Sequence, residues 1–363
     1  MIDFALPEEL DLLRATARDF ARAALAKDER AAEAARAPSA AARDAFRAIG
    51  LAALELPEAL GGAGLGALAR ALVGEELAAA DPGAALALDP LGAALYPLAE
   101  LGGERALREI AAPLLERGGR AALAVDLGGD LRVEDGRAEG ALAWVPADRA
   151  DLLVVLGRSG AFAVRDGAGV EWEALRGAGL RASGAAAVRL ADAPVVFAAS
   201  DPVAATRALA RVRLYVAGLL LGTMRASSEF ARAYAGQRVA FGRPIAHHQA
   251  LAFLLVDVYG AVESVRALVH EAAWRVDAGA DAAEPCASAF AEAVEQALFV
   301  TPNSVQVLGG HGFMQDYPVE KWMREARALG LLAGGLDAAR EDAGAALAEA
   351  GPPLSLTLAA EGA

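Results

Sequence analysis

The sequence predicts a mostly α-helical chain with a β domain in its middle: a helical N-terminal domain, a small β-barrel or sandwich, and a C-terminal four-helix bundle. Three observations carry this expectation. Apolar residues recur at helical spacing up to about Gly118 and again beyond Asp201. Between Ala121 and about Val196 the apolar runs shorten, alternate, and are separated by turn residues such as Glu134-Asp-Gly136 and Arg165-Asp-Gly167. Four long helical patterns then follow one another, as antiparallel helices of a bundle would. The boundaries fall at residues 1–119, 120–199 and 200–350, with 351–363 a small-residue tail.

The elements follow in order. Residues 7–35 read as one helix: Pro7-Glu8-Glu9 places a proline and two acids in the first turn, where the dipole is positive, and Leu10, Leu13, Ala17, Phe20 and Ala24 repeat at helical spacing. Residues 39–54 read as a second helix. The run from Pro57 through Gly61, Gly62, Gly64 and Gly66 is a glycine-rich turn; it lacks the preceding strand and following Lys-Ser/Thr of a phosphate loop. Three more helical segments reach Gly118. Strand-like runs occupy residues 123–125, 131–133, 141–145, 152–156 and 161–164, and a last strand follows the turn at Gly179–Gly184. Residues 203–236, 249–278, 287–308 and 319–350 are the four bundle patterns. In the second of these, Leu251, Leu254, Leu255, Val258, Val262, Val265 and Leu268 form one broad stripe.

Composition narrows the function classes. A chain of 363 residues, 56% hydrophobic and 23% charged, is globular and can bury a large core. Much of the apolar fraction is alanine, which favours helix and fills little volume, so close helix-on-helix packing is expected. A net charge of −14 opposes nucleic acid and anionic membrane surfaces as partners. The one cysteine, Cys286, allows no disulfide within the chain and reads as a packing residue. His247, His270 and His311 have no metal-ligand spacing. The N-terminal stretch lacks the basic and apolar regions of a signal peptide, and runs such as 214–221 are too short to span a bilayer, so a cytoplasmic location is expected.

Two hinges between helical patterns carry the functional signal. The first runs Arg238-Val-Ala-Phe241-Gly242-Arg243-Pro244-Ile245-Ala-His-His248-Gln249. It offers a guanidinium and, after Pro244, a helix start whose free N–H groups suit an anion. The second runs Gln306-Val-Leu-Gly309-Gly310-His-Gly312-Phe313 and continues through Tyr317-Pro-Val-Glu320-Lys321-Trp-Met-Arg324. Glycine there lets backbone approach a ligand, although Gly309 alone would also serve as a helix C-cap. Together the hinges and the order of domains resemble the acyl-CoA dehydrogenase family of FAD flavoproteins over nearly the whole chain. The resemblance implies FAD as cofactor. Its pyrophosphate and adenosine would be met by Arg238, Phe241, Ile245, His248 and Gln249, and its adenine end by Gln306, Gly309 and Gly310 of a neighbouring subunit. Arg213 matches a family arginine near the substrate, an acyl-CoA thioester.

The reactive end departs from the family pattern. Removing an α-proton needs a buried carboxylate with a raised pKa, and the enolate oxygen needs hydrogen-bond donors. Counting on from Met323-Arg324, the family's usual base position holds Ala333, followed by Gly334 and Gly335. The minority base position holds Val212, and no acid lies between Asp201 and Glu229. Asp337, one turn beyond Ala333, is the only nearby candidate. The family's Thr-Glu-Pro segment is replaced by Val125-Asp126-Leu127, and its Trp-Ile-Thr segment by Trp144-Val145-Pro146, which has neither hydroxyl nor N–H at its end. The resemblance therefore implies an FAD-linked acyl-CoA oxidoreductase acting as the base-lacking subunit of a heteromer. It also implies a homo- or hetero-tetramer with a related base-bearing subunit, and an electron-transfer flavoprotein or similar acceptor. Two alternatives stay open: an independent flavoenzyme with a non-standard base, and a non-catalytic binding or scaffold protein on the same fold.

Overall fold

The computed structural model describes residues 6–350, so the tail expected at 351–363 lies outside the described residues. The chain is mostly helical with a sheet in its middle, as the patterns predict. The first helices are α1 (Glu8–Phe20), α2 (Glu29–Ala35), α3 (Ala40–Ala48), α4 (Ala67–Ala80), α5 (Pro82–Leu88), α6 (Leu95–Ala106) and α7 (Ala112–Glu116). The single helix expected over 7–35 is two: a π-helical turn at Ala21–Leu25 loosens the first, and Arg36, in the left-handed region at φ 56°, ends the second. Ser39 caps α3 by accepting a hydrogen bond from the Ala42 N–H at 3.2 Å. That helix stops at Ala48 rather than reaching residue 54, because Gly50 turns the chain at φ 79°.

Seven strands follow: β1 (Ala121–Val125), β2 (Arg132–Glu134), β3 (Arg137–Val145), β4 (Leu152–Leu156), β5 (Gly160–Arg165), β6 (Val170–Ala174) and β7 (Ala186–Ser200). The long β7 joins two half-sheets. Its C-terminal half pairs with β5, in the order β1-β4-β5-β7, and its N-terminal half lies between β6 and β3. The Asp135-Gly136 turn, with both residues at positive φ, closes the tight β2–β3 hairpin. Strand β6, Val-Glu-Trp-Glu-Ala, was not among the expected runs; only Val170 of it is buried, so its apolar signal is short. Strands β1 and β4 pair in parallel, so they are not a hairpin; β2 and β3 fill the connection between them.

The C-terminal helices are α8 (Pro202–Gln237), α9 (Gln249–Asp277), α10 (Ala283–Leu308), α11 (Val319–Leu329) and α12 (Gly335–Ala350), with a minimal β8–β9 hairpin (Val239–Ala240, Arg243–Pro244) after α8. The fourth bundle pattern, expected as one helix over 319–350, is broken. Ala333, Gly334 and Gly335 all take positive φ (57°, 87° and 81°), a conformation that ends a helix rather than continuing it.

Helix α8 is the axis of the molecule and buries residues along nearly its whole length. It lies against α4 so closely that a Cβ at Gly222 would overlap the Glu75 carbonyl oxygen. The same helix pair holds ionic contacts. Glu75 and Glu76 of α4 are buried and receive Arg225 of α8, Arg266 of α9 and Arg18 of α1. A second buried cluster ties α5 to α11. Lys321 Nζ stands 2.8 Å from Asp81 Oδ1 and 3.2 Å from Glu325 Oε1, with all three side chains fully buried. Asp81 also caps α5, accepting from the Ala84 N–H at 3.0 Å.

Two carboxylates share that one ammonium. Burial, opposed by Lys321 and reinforced by Asp81, pushes the Glu325 carboxyl up to about 7 from 4.5. A carboxyl that titrates higher folded than unfolded binds its proton more tightly in the folded chain. Its cost is therefore absent below pH 4.5 and develops as pH rises through about 7. Glu325→Gln should thus gain stability over the wild type between pH 5 and pH 8, read as diverging urea midpoints. Lys321→Met, which strands both acids, should lose about 3–5 kcal/mol at pH 8 in the same measurement.

Candidate functional site

A cavity of about 250 Å³ opens where the sheet meets the bundle. One wall is β1, all of whose residues border it; Leu123 and Val125 pack toward the core that holds Val212 and Tyr215, while Ala122 and Ala124 belong to the core of the sheet. Trp144 and Pro146, at the end of β3, close that side. Facing them on α8 stand Val212, Tyr215 and Val216, three residues that share one helical face. The break between α11 and α12 supplies Leu332, Ala333 and Gly334, and the segment after α5 supplies Asp89 and Leu91. Gly334 packs against Leu127, whose side chain a Cβ there would strike.

This geometry brings together the positions at the reactive end of the resemblance. Val212 and Ala333, the two base positions, both line the cavity and are buried at 1% and 3% exposure. Asp337 does not line it; the residue is exposed on α12. Arg213, expected near the substrate, does not reach it either. One residue on from Val212, a helical step of about 100°, it points to another face of α8. There Nη2 lies 2.6 Å from Asp342 Oδ2 of α12, in a separate groove with Arg158.

The hinge residues lie elsewhere, and none of them lines the cavity. Arg238 ends α8 and is exposed; Phe241 stands 96% exposed with φ 54°; Gln249 opens α9. His248 is held in place: Arg243 Nη2 donates to its Nδ1 and its Nε2 donates to the Ala240 carbonyl, both at 3.2 Å, which fits a neutral ring. Ile245 packs into a satellite core with Leu251 and Leu254, and Val305, Val307 and Leu308 enter the same cluster from α10. The two hinges therefore share one end of the bundle. Gln306, Gly309 and Gly310 are exposed there, and nothing stands within 4 Å of a Cβ built on either glycine. Tyr234 and His311 connect the hinges by a 2.9 Å hydrogen bond, and His311 stacks on Tyr317.

Three polar residues of the cavity carry no sequence signal of their own: Asp89, Arg120 and Tyr215. Asp89 is ion-paired. Its Oδ2 accepts from Arg70 Nη1 at 2.7 Å and lies 3.5 Å from the Tyr215 hydroxyl, and its Oδ1 accepts from the Gly92 N–H at 2.8 Å. Arg70 also reaches Glu55, which receives Tyr96 and Arg211 as well. Burial, with Asp89 nearby, holds Tyr215 well above its ordinary pKa, so its hydroxyl stays protonated. Tyr215 was legible only as the next residue on the face begun by Val212.

Comparison with known proteins places this architecture. The N-terminal domain model of acyl-CoA dehydrogenases matches residues 7–117 and the C-terminal domain model matches residues 203–348. The chain belongs to the acyl-CoA dehydrogenase family, a family of oxidoreductases. Its fold superimposes on butyryl-CoA dehydrogenase from Megasphaera elsdenii with a TM-score of 0.84 at 25% identity, over 96% of this chain and 100% of that one. A variant of the Tcur3481-Tcur3483 steroid ACAD gives 0.80 at 27% identity, over 94% and 98%. In sequence, the short-chain-specific acyl-CoA dehydrogenase of Clostridium acetobutylicum is 39% identical over 115 residues. That stretch is 32% of this chain and 30% of the relative's length.

FAD is the cofactor that goes with this family. The residues present fit parts of it at two separate places on the chain. The exposed guanidinium of Arg238, the open glycines at 309 and 310 and the N-terminus of α9 are donors and backbone suited to a dinucleotide phosphate. The cavity, with Trp144 and small residues of β1, has a flat apolar wall for a ring.

Cys286 is remote from any such chemistry. It is fully buried on α10, and burial pushes its thiol up to about 12. At a given pH the folded chain therefore holds roughly a thousandfold less thiolate than an ordinary cysteine would give. Reaction with a thiol-specific chromogenic reagent should be negligible in buffer and stoichiometric, one per chain, in 6 M guanidinium; fast labelling of the native protein would contradict this placement.

Proposed function

We propose that this chain is an FAD-binding subunit of an acyl-CoA dehydrogenase that works in a heteromer, with a related subunit carrying the catalytic base. The observation that carries the reading is the carboxylate inventory of the cavity. Asp89 is its one lining carboxylate among the described residues, and Arg70, Tyr215 and the Gly92 N–H already engage it. A carboxylate whose two oxygens are already taken up by donors is poorly placed to accept a proton from a substrate. Alanine and valine stand at the two positions where the family resemblance puts a base.

Bound FAD supplies the acceptor for the β-hydrogen of an acyl-CoA thioester. This chain's residues supply the binding surface. Arg238 and the N-terminus of α9 neutralise the dinucleotide's phosphates, and Gly309 and Gly310 admit a neighbouring subunit's adenosine. The exposed Phe241, Phe253, Val256 and Tyr259 are apolar surface at this end and along α9 that an assembly would cover. The Tcur3481-Tcur3483 steroid ACAD, with two designations in one name, supports a two-component reading. An electron-transfer flavoprotein or similar protein is the electron acceptor in this proposal, and the cytoplasm its location. No single helix among the described residues is long and apolar enough to cross a membrane.

Two measurements test the reading. Arg238→Ala should abolish flavin content, quantified after denaturation of the assembled protein, while leaving the circular dichroism spectrum unchanged; full flavin occupancy in that variant would overturn the assignment of the phosphate site. The chain expressed alone should fail to bleach a bound flavin with saturated acyl-CoAs, whereas Ala333→Glu should gain bleaching. Activity of the unmodified homo-oligomer would favour the independent-flavoenzyme alternative instead.

A further inference from the structure

Arg120 stands out among the arginines of the interior. It lies between Gly119 and the start of β1 and forms part of the cavity wall. Its Nε is buried without a hydrogen-bond partner among the described residues. Its two terminal nitrogens reach only the carbonyls of Ser183 and Pro146, both at 3.5 Å. No carboxylate among the described residues lies within 4.0 Å of its guanidinium, although its backbone N–H donates to Asp151 Oδ2 at 2.8 Å; Arg70, Arg211, Arg213 and Arg225 each have a carboxylate on the guanidinium. Asp148, an acid whose charge Arg120 feels, is taken up by Arg36 and by the Ala185 N–H. Asp89 across the cavity is held by Arg70. Burial lowers the Arg120 pKa from its ordinary value, as it does for Arg213, whereas Arg70 and Arg211, each with two carboxylates on the guanidinium, are raised.

A half-buried guanidinium with one N–H unpartnered and its terminal nitrogens on two long contacts to neutral carbonyls is an unfavourable arrangement unless an anion completes it. The geometry of that fork matches a carboxylate, which accepts two parallel N–H bonds. The rest of the wall is apolar, apart from the Tyr215 hydroxyl and the engaged Asp89, and suits a short hydrocarbon chain attached to that carboxylate. We propose that this cavity is a binding site for a short-chain organic carboxylate, held by Arg120, either as a free acid or as the far end of an acyl thioester. The cavity is the one whose wall is assigned above to the flavin ring, so the proposal deepens the FAD-linked acyl-CoA reading and rests on it; binding itself needs no catalytic base and does not depend on turnover.

The test compares pentanoyl-CoA, glutaryl-CoA and free glutarate as probes of the full-length chain, by calorimetric titration and by shift of the melting temperature. The first two share a five-carbon acyl chain and differ in a terminal methyl against a carboxylate. Glutaryl-CoA should bind at least tenfold tighter than pentanoyl-CoA. Arg120→Leu should erase the difference, and Arg120→Lys, which keeps the charge but not the fork, should retain part of it. Free glutarate stabilising the wild type but not Arg120→Leu identifies the free acid as the ligand form; stabilisation by glutaryl-CoA alone identifies the thioester. Equal affinity of wild type for the two thioesters, with no effect of glutarate, overturns the proposal and leaves the acyl-CoA dehydrogenase reading standing. A glutaryl preference that survives Arg120→Leu overturns it as well. If the leucine variant does not fold, the wild-type comparison and the lysine variant still decide the outcome.

Discussion

The contact between α8 and α4 sets the position of almost everything else. At Gly222 the two backbones approach until no side chain fits between helix and carbonyl, and one turn earlier Gly218 lies over Ala71, where a Cβ would sit in ordinary contact at 3.4 Å. The approach at Gly222 is open to glycine alone; around it, small alanines on both helices let the surfaces stay close, so an alanine-rich sequence can pack densely. The closeness also buries Glu75 and Glu76 beside the contact, so these acids must be paired. Arg18, Arg225 and Arg266 come from three different helices to do so. One steric constraint thus generates an electrostatic one, and the second fixes α1 and α9 around the first pair.

The same helix, α8, connects the two regions with functional character. Its middle presents Val212, Tyr215 and Val216 to the cavity under the sheet, and its end delivers Arg238 to the hinge. The two regions differ in kind. The cavity is enclosed by five separate segments, and Asp89 and Tyr215 join a buried network running through Arg70 to Glu55 and Arg211. The hinge residues are exposed and rest on a small satellite core. Roughly 33 Å of helix separates Val216 from Arg238, more than one dinucleotide spans, so the cavity and the hinge of a single chain serve separate ligand ends, and an exposed hinge is a surface that a neighbouring subunit can complete.

Helices with strong stripes were legible in the sequence because burial imposes a period on them; α8 to α10 fall within a few residues of the expected limits. Breaks were less legible. The π turn after Phe20 and the left-handed turn at Ala333 arise from tertiary contacts and from non-glycine residues in a conformation that alanine and arginine rarely announce. Strand β6 has too little buried surface to show alternation. At the site, Val212, Ala333, Trp144 and Pro146 were found through the family resemblance and do meet at one cavity. Arg213 is assigned to the substrate through the same resemblance; one residue on from Val212, it lies on a different face of α8, against Asp342. Asp89 and Arg120 escaped notice because a single acid beside a proline, or a single arginine after two glycines, carries no pattern until the fold brings them together.

The left-handed turn at Ala333 is held from outside its own side chain: Gly334 rests on Leu127, Gly335 accepts the next reversal, and α12 restarts at once. The wall of the cavity keeps its shape whatever functional group stands at that one position. Shape and reactivity are in this respect separable traits of the protein, and position 333 is a point where a protein engineer could install an acid, an imidazole or a thiol without redesigning the surrounding scaffold.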